Sequence, residues 1–246
     1  MAAREFPYLY PDSAAEAERH RELTRWQDSH RVNIACKKAI EEAIRRDFDG
    51  THLKPDCAKS VLEEYGFKRV NFVLANTLQG KRQDGRFSQE NKLWGERIYV
   101  PSDQNHNDQF TVESHPAVLD DFINQTRQAY QALGLFGPEH CAGSRHEQDY
   151  KGKVLVLSPD TLRETCWTPR DQLWLAEGGF GCSPHARGQA VYATCLGDGE
   201  KTRWNRSDFA GVLDGQYLPD WAREKLEELR GSQQEQDSGP VMGGMS

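Results

Sequence analysis

The residues best suited to chemistry lie in one loop, Gly178-Gly179-Phe180-Gly181-Cys182-Ser183-Pro184-His185. A thiol at the positive end of a helix loses its proton more readily and becomes a nucleophile, so Cys182 is a catalytic candidate with His185 as its base. The pair is a weak one. A catalytic Cys and His normally come from distant segments and need a third, orienting group. Cys182-x-x-His185 with Cys166 and Cys195 also offers sulfur and imidazole donors, but without paired zinc spacing, so no metal site is assigned. The glycines match neither a phosphate-binding loop nor a dinucleotide fingerprint, and no cofactor is expected. The plainer reading makes the glycines a turn, Phe180 a core plug and Cys182 a buried thiol.

A second stretch bears on binding rather than catalysis. Residues 55–80 read as two short helices joined at Tyr65-Gly66. The second carries Lys68, Arg69, Asn71 and Asn76, and the basic run continues into Lys81, Arg82 and Arg86. Cations and amides are the side chains that contact phosphates and base edges. These seven residues are the candidate nucleic-acid or partner surface. An ordinary helical hairpin with a solvated polar face is the alternative.

Charge limits the partner. The 246-residue chain carries 31 Lys/Arg and 38 Asp/Glu, a net charge of −7, which disfavours wholesale binding to phosphate backbones. Residues 51–100 are the exception, with nine Lys/Arg against six Asp/Glu. Residues 101–138 hold Arg127 against five acids. No apolar run is long enough for a membrane span and no leader opens the chain, so a cytoplasmic protein without a membrane partner is expected. Its six cysteines are then expected as reduced thiols.

These features need elements to position them. Ser13 with Glu16 predicts a capped helix to about Gln27, and Ser29 is a second cap before a helix ending at Asp49-Gly50. Ser88 leads a short helix, Arg97–Val100 is extended, and Ser114 starts a helix over Val118, Leu119, Phe122 and Ile123. After about residue 150 the period changes. KVLVLS and QLWLA read as strands, and QAVYATCL with KTRWN as a hairpin across GDGE. A final helix runs from Asp220 to Arg230. The fold class is α+β. A helical domain (1–138) is followed by a linker (139–150), a small α+β domain with a short antiparallel sheet (151–230) and a disordered tail (231–246).

The motifs YLYPDSAAEAER, DSHRVNIACKKAI, RVNFVLANTLQ, DGRFSQENKLW and ESHPAVLDDF together resemble a bacterial domain family of unknown function over residues 7–140. That family is found in gut clostridia, often near genes of conjugative elements. VLVLSPDTL, TPRDQLWLAEGGFGCSP and GDGEKTRWNRSDFAGVL, over 151–215, resemble another recurrent segment of such mobile-element proteins. The resemblance implies a setting and carries no catalytic residues. The leading expectation is a non-enzymatic accessory protein of a mobile element that contacts nucleic acid or a host or element protein. The alternatives are a counter-defence protein binding a host protein through its acidic surface, and a thiol enzyme using Cys182.

Overall fold

The computed structural model describes residues 8–144, 146–162 and 167–237. The chain forms two compact units, residues 1–132 and 133–246. No described helix is long and apolar enough to cross a membrane.

The first unit is helical. Ser13 Oγ accepts the Glu16 N–H and caps α1, Ala14–Arg19. Arg21 adopts φ 61, which breaks the helix, and α2 restarts at Leu23–Asp47. Ser29 is therefore not a cap. It lies inside α2, buried, and its Oγ accepts the Tyr10 N–H at 2.9 Å. Val32, Cys36, Ile40 and Ala43 recur at helical spacing and form the buried side of α2.

The next helix, α3, spans Lys59–Gly80 and breaks at Gly66, where φ 74 and ψ 159 are open almost only to glycine. The two helical pieces expected around this glycine are thus present. Their role differs from the expectation. Past Gly66, Arg69, Val70 and every residue from Phe72 to Leu78 are buried. A helix buried on all sides is the centre of its unit, not a reading head. α2, α4 (Gln89–Glu96) and α6 (Pro116–Ala132) pack against it, and Phe72 stacks on Phe110 at 5.7 Å. Each of these large apolar side chains contributes roughly 1.5–3 kcal/mol on burial.

Polar side chains on α3 set the surrounding segments. The Arg69 guanidinium, 1% exposed, donates to the Ser29 carbonyl at 3.0 Å and to Asn33 Oδ1 on α2. Asn76 Nδ2 donates to the Asn107 carbonyl at 2.9 Å, at the end of the short helix α5, Gln104–Asn107. Thr77 Oγ1 accepts the Val112 N–H at 3.0 Å. Gln79 Nε2 donates to the Gly95 and Ile98 carbonyls, both at 2.9 Å. A Cβ on Gly95 would meet Leu78 Cδ1 at 3.0 Å, so the absent side chain lets α4 approach α3.

The second unit is an antiparallel sheet ordered β4-β3-β2-β1-β5, with β1 Val154–Leu157, β2 Leu173–Gly178, β3 Ala190–Cys195, β4 Lys201–Asn205 and β5 Phe209–Val212. β5 was not expected from sequence. Side chains alternate between two cores. Leu155, Leu157, Trp174, Ala176, Val191 and Ala193 face one. Val156, Leu173, Leu175 and Leu196 face the other, against Ala222 and Leu226 of the final helix. The one-turn helix α7, Pro169–Gln172, leads into β2, and that final helix, α8, runs Asp220–Asp237, past the expected stop at Arg230. The remainder of the expected tail lies outside the described residues. Residues 139–150, read as a linker, belong to the second unit's own structure. Cys141 bridges Leu213, the Ala142 N–H bonds the Val212 carbonyl at 2.9 Å, and Tyr150 is fully buried.

Replacing Arg69 by Ala removes its interhelical contacts to Ser29 and Asn33 and opens a cavity, which should destabilise the protein by about 3–5 kcal/mol. Urea denaturation would read this as a lower midpoint. Exposed Lys59→Ala should stay within about 0.5 kcal/mol. Equal midpoints for the two variants would mean that Arg69 does not hold α2 to α3.

Candidate functional site

The seven basic and amide candidates do not converge. Arg69 and Asn76 are buried and bonded within the first unit, so neither can meet a partner in this fold. Lys68 and Asn71 are half-buried on α3. Lys81 Nζ donates to the Val112 carbonyl at 3.2 Å. Arg86 is exposed but forks onto Asp84, at 2.9 and 2.7 Å, which holds that carboxyl down to about 2. Arg82 remains, exposed and 3.2 Å from Glu96. A helix that reads nucleic acid must show its polar face to solvent; this one spends its polar groups on its neighbours.

Arg82 does belong to a site. It lines a cleft of about 440 Å³ with Leu78, Gln79, Lys92, Glu96, Ile98, Tyr99 and Val100. The volume suits a small ligand or one inserted side chain. Leu78 on α3, with Ile98 and Val100 beyond α4, supplies apolar surface. Lys92 and Glu96 from α4 and Arg82 past the end of α3 supply charge. Tyr99 is 69% exposed. The Gln79 amide, bonded to the carbonyls of Gly95 and Ile98, fixes the segment that carries Ile98 and Tyr99. Ile98 and Tyr99 were missed in the sequence because Arg97–Val100 reads only as a short extended piece, and Lys92 because it is one polar residue of the short helix led by Ser88. The faint signal was a tyrosine flanked by two β-branched residues, outside any helix.

A denser cluster sits at the start of α2. Trp26 stacks on His30 at 4.8 Å and meets the edge of His106 at 4.8 Å. His106 has further contacts. Its Nδ1 lies 2.8 Å from Asp103 Oδ1, and its ring is 5.6 Å from that of His30. His30 Nε2 lies 3.2 Å from Gln109 Oε1. The space enclosed with Tyr10, Asn33 and Phe72 is only about 20 Å³, room for about one water. This is packing, and it holds no ligand-sized opening. Burial lowers the His30 pKa, and the neighbouring His106 adds to the effect.

The thiol candidate lacks its partner. Cys182 is 4% exposed in an apolar core, and burial raises its pKa rather than lowering it. His185 is exposed, and no hydrogen bond joins it to Cys182. Burial also pushes the Cys36 and Cys57 thiols up to about 12, and Cys141 and Cys195 up to about 11. Cys166 lies outside the described residues. Among the described residues, no group of three or more His, Cys, Asp or Glu is placed to hold a metal ion. Phe180, expected as a core plug, is instead 78% exposed.

Two measurements follow. Alkylation of the native protein near neutral pH should leave Cys36, Cys57, Cys141, Cys182 and Cys195 slow, each accelerating on unfolding; fast native labelling of Cys182 would restore a thiol role. His30 titrates with a folded pKa below its unfolded value of about 6.5. The unfolded chain therefore binds the proton first, and stability is lost as pH falls below that value. The melting temperature should drop between about pH 7.5 and about pH 5.5, and less steeply in His30→Gln. An identical slope in that variant would exclude His30 as the source.

No curated protein and no solved structure matches the chain significantly. One family model matches residues 9–131, half of the chain, and it carries no indication of clostridia or of mobile elements. The match covers the helical unit, from the segment that bonds Ser29 to the last turn of α6, and the chain belongs to that family, described as protein of unknown function (DUF3849).

Proposed function

We propose that the helical unit is a protein-binding module with no chemistry of its own, and that its partner inserts a short acidic segment into the cleft beside α3 and α4. The observation that carries this reading is the cleft itself, an apolar floor of Leu78, Ile98 and Val100 under a rim of Arg82, Lys92 and Glu96, with Tyr99 exposed at its edge. An apolar centre within a polar rim is the usual anatomy of a recognition site, and Tyr and Arg are the residues that most often dominate its energetics. The cations sit in the one basic stretch of a chain of net charge −7, so a carboxylate-bearing segment is favoured there over a basic one. An apolar side chain of the partner fills the cleft, and its neighbouring carboxylates meet Lys92 and compete with Glu96 for Arg82.

A nucleic-acid strand fits this unit less well. Of the cations once grouped for that purpose, Arg69 is buried, Lys81 bonds a carbonyl and Arg86 is held by Asp84. The accessory role in a mobile element, implied by the sequence resemblance, supplies the setting of the proposal: a cytoplasmic adaptor that recruits a protein of the element or its host.

Selection of displayed peptides against the full chain should enrich sequences that pair an apolar anchor with Asp or Glu. Arg82→Glu with Lys92→Glu should weaken the enriched peptides at least about tenfold, and Tyr99→Ala by about fivefold or more. Enriched peptides that bind the double variant as tightly as the parent would overturn the site.

A further inference from the structure

The glycine-rich loop has no catalytic partner, yet it is built with care. It joins β2 to β3 and is closed at two points. Gly179 has φ 107, and a Cβ there would meet the Ala190 carbonyl oxygen at 2.3 Å and Tyr192 Cδ2 at 3.1 Å. A Cβ on Gly181 would meet the Gln189 carbonyl oxygen at 2.2 Å. Only glycine allows the loop to lie this close to the start of β3. Arg206 locks it from below. Its Nη1 donates to the Gly181 and Cys182 carbonyls at 2.9 and 3.0 Å, and its Nη2 to the Gln148 carbonyl at 2.7 Å. The same guanidinium lies 3.8 Å over the Tyr150 ring. Cys182 anchors the far end in the core.

Between the two glycines stands Phe180, 78% exposed. A ring in water gains nothing from the hydrophobic effect, so the loop is not clamped in order to bury it. Gly179, next to Phe180 in the chain, lies against a second exposed ring, Tyr192 on β3, and Gly188, next to Arg187, lies against Phe180 itself. Val191 and Ala193 face one core, so Tyr192 lies on the opposite face of the sheet. α8 covers the β1–β2 part of that face and leaves Tyr192 uncovered. Arg203 of β4 lies directly across from Tyr192, and Lys201 across from Thr194. Glu177 is held by the Thr194 hydroxyl at 2.7 Å and by Lys201 at 3.1 Å. The side chains of Arg203 and of Arg187, which follows in the same loop, are exposed and make no hydrogen bond or ion pair among the described residues.

We infer that Phe180 and Tyr192, with Arg203 and Arg187, form a platform on the second unit that binds single-stranded nucleic acid. Bases stack on the two rings, and the guanidinium groups take the adjoining phosphates. Stacking on exposed aromatic rings with cations for the backbone is the common solution for strands bound with little sequence preference. A duplex hides its base faces and cannot use it. The inference stands apart from the cleft of the helical unit, which takes protein and uses other residues.

Fluorescence anisotropy of the full chain with short labelled single strands and with the matching duplex, at low salt, tests it. Single strands should bind at least about tenfold more tightly than duplex. Phe180→Ala and Tyr192→Ala should each weaken the strand by roughly five- to a hundredfold, and Arg203→Ala should flatten the dependence on salt by about one ion. All three positions are exposed, so melting temperatures should match the parent. Arg82→Glu with Lys92→Glu should bind strands normally. No binding by the parent, equal binding of duplex, or a Phe180/Tyr192 double variant within about twofold of the parent would overturn the platform. So would loss of strand binding in the Arg82/Lys92 variant, since the strand would then lie in the helical cleft.

Discussion

A single buried guanidinium organises the helical unit. Taking a charge out of water costs several kcal/mol, so Arg69 must be matched by acceptors at good geometry. It finds them one helix away, at the Ser29 carbonyl and Asn33. That requirement sets how α2 and α3 slide and rotate against each other, because apolar side chains alone tolerate several registers. Ser29 passes the constraint on, since its hydroxyl accepts the Tyr10 N–H and draws in the segment before α1. The kink at Gly66 lies three residues before Arg69 and aims the second piece of α3 through the middle of the unit.

The same helix builds the cleft. Asn76, Thr77 and Gln79 would be surface residues on an amphipathic helix. Here their bonds are made to backbone groups at 95, at the end of α4, at 107, at the end of the short α5, and at 98 and 112 in irregular segments. A buried amide left unbonded is costly, so these contacts persist and the segments cannot drift. Ile98 and Tyr99 are held open beside Arg82 as a consequence. The polar residues of α3 thus shape a cleft that other side chains line.

The second unit applies the same economy to an exposed side chain. Arg206, Gly179, Gly181 and Cys182 hold a loop whose most prominent product is a phenylalanine in water.

Much of the local structure was legible in the residues. The Ser13 and Ser88 caps, the glycine break at 66, the strands of KVLVLS and QLWLA and the hairpin across GDGE all follow from patterns with a local cause, a capping hydroxyl, a positive φ or a period of two. β5 did not, because Phe209–Val212 is four residues long with a glycine inside and takes its strand geometry from pairing with β1. Nor did the place of Arg69, which in sequence is one cation in a basic run. The sequence by itself determined the α+β class, most helices and strands and the uneven charge. Only the tertiary structure decided which polar groups face inward and which aromatic rings face out. Helical periodicity tells which residues share a face, but the neighbours that cover that face come from distant segments, and they determine whether Arg69, Tyr99 or Phe180 meets solvent.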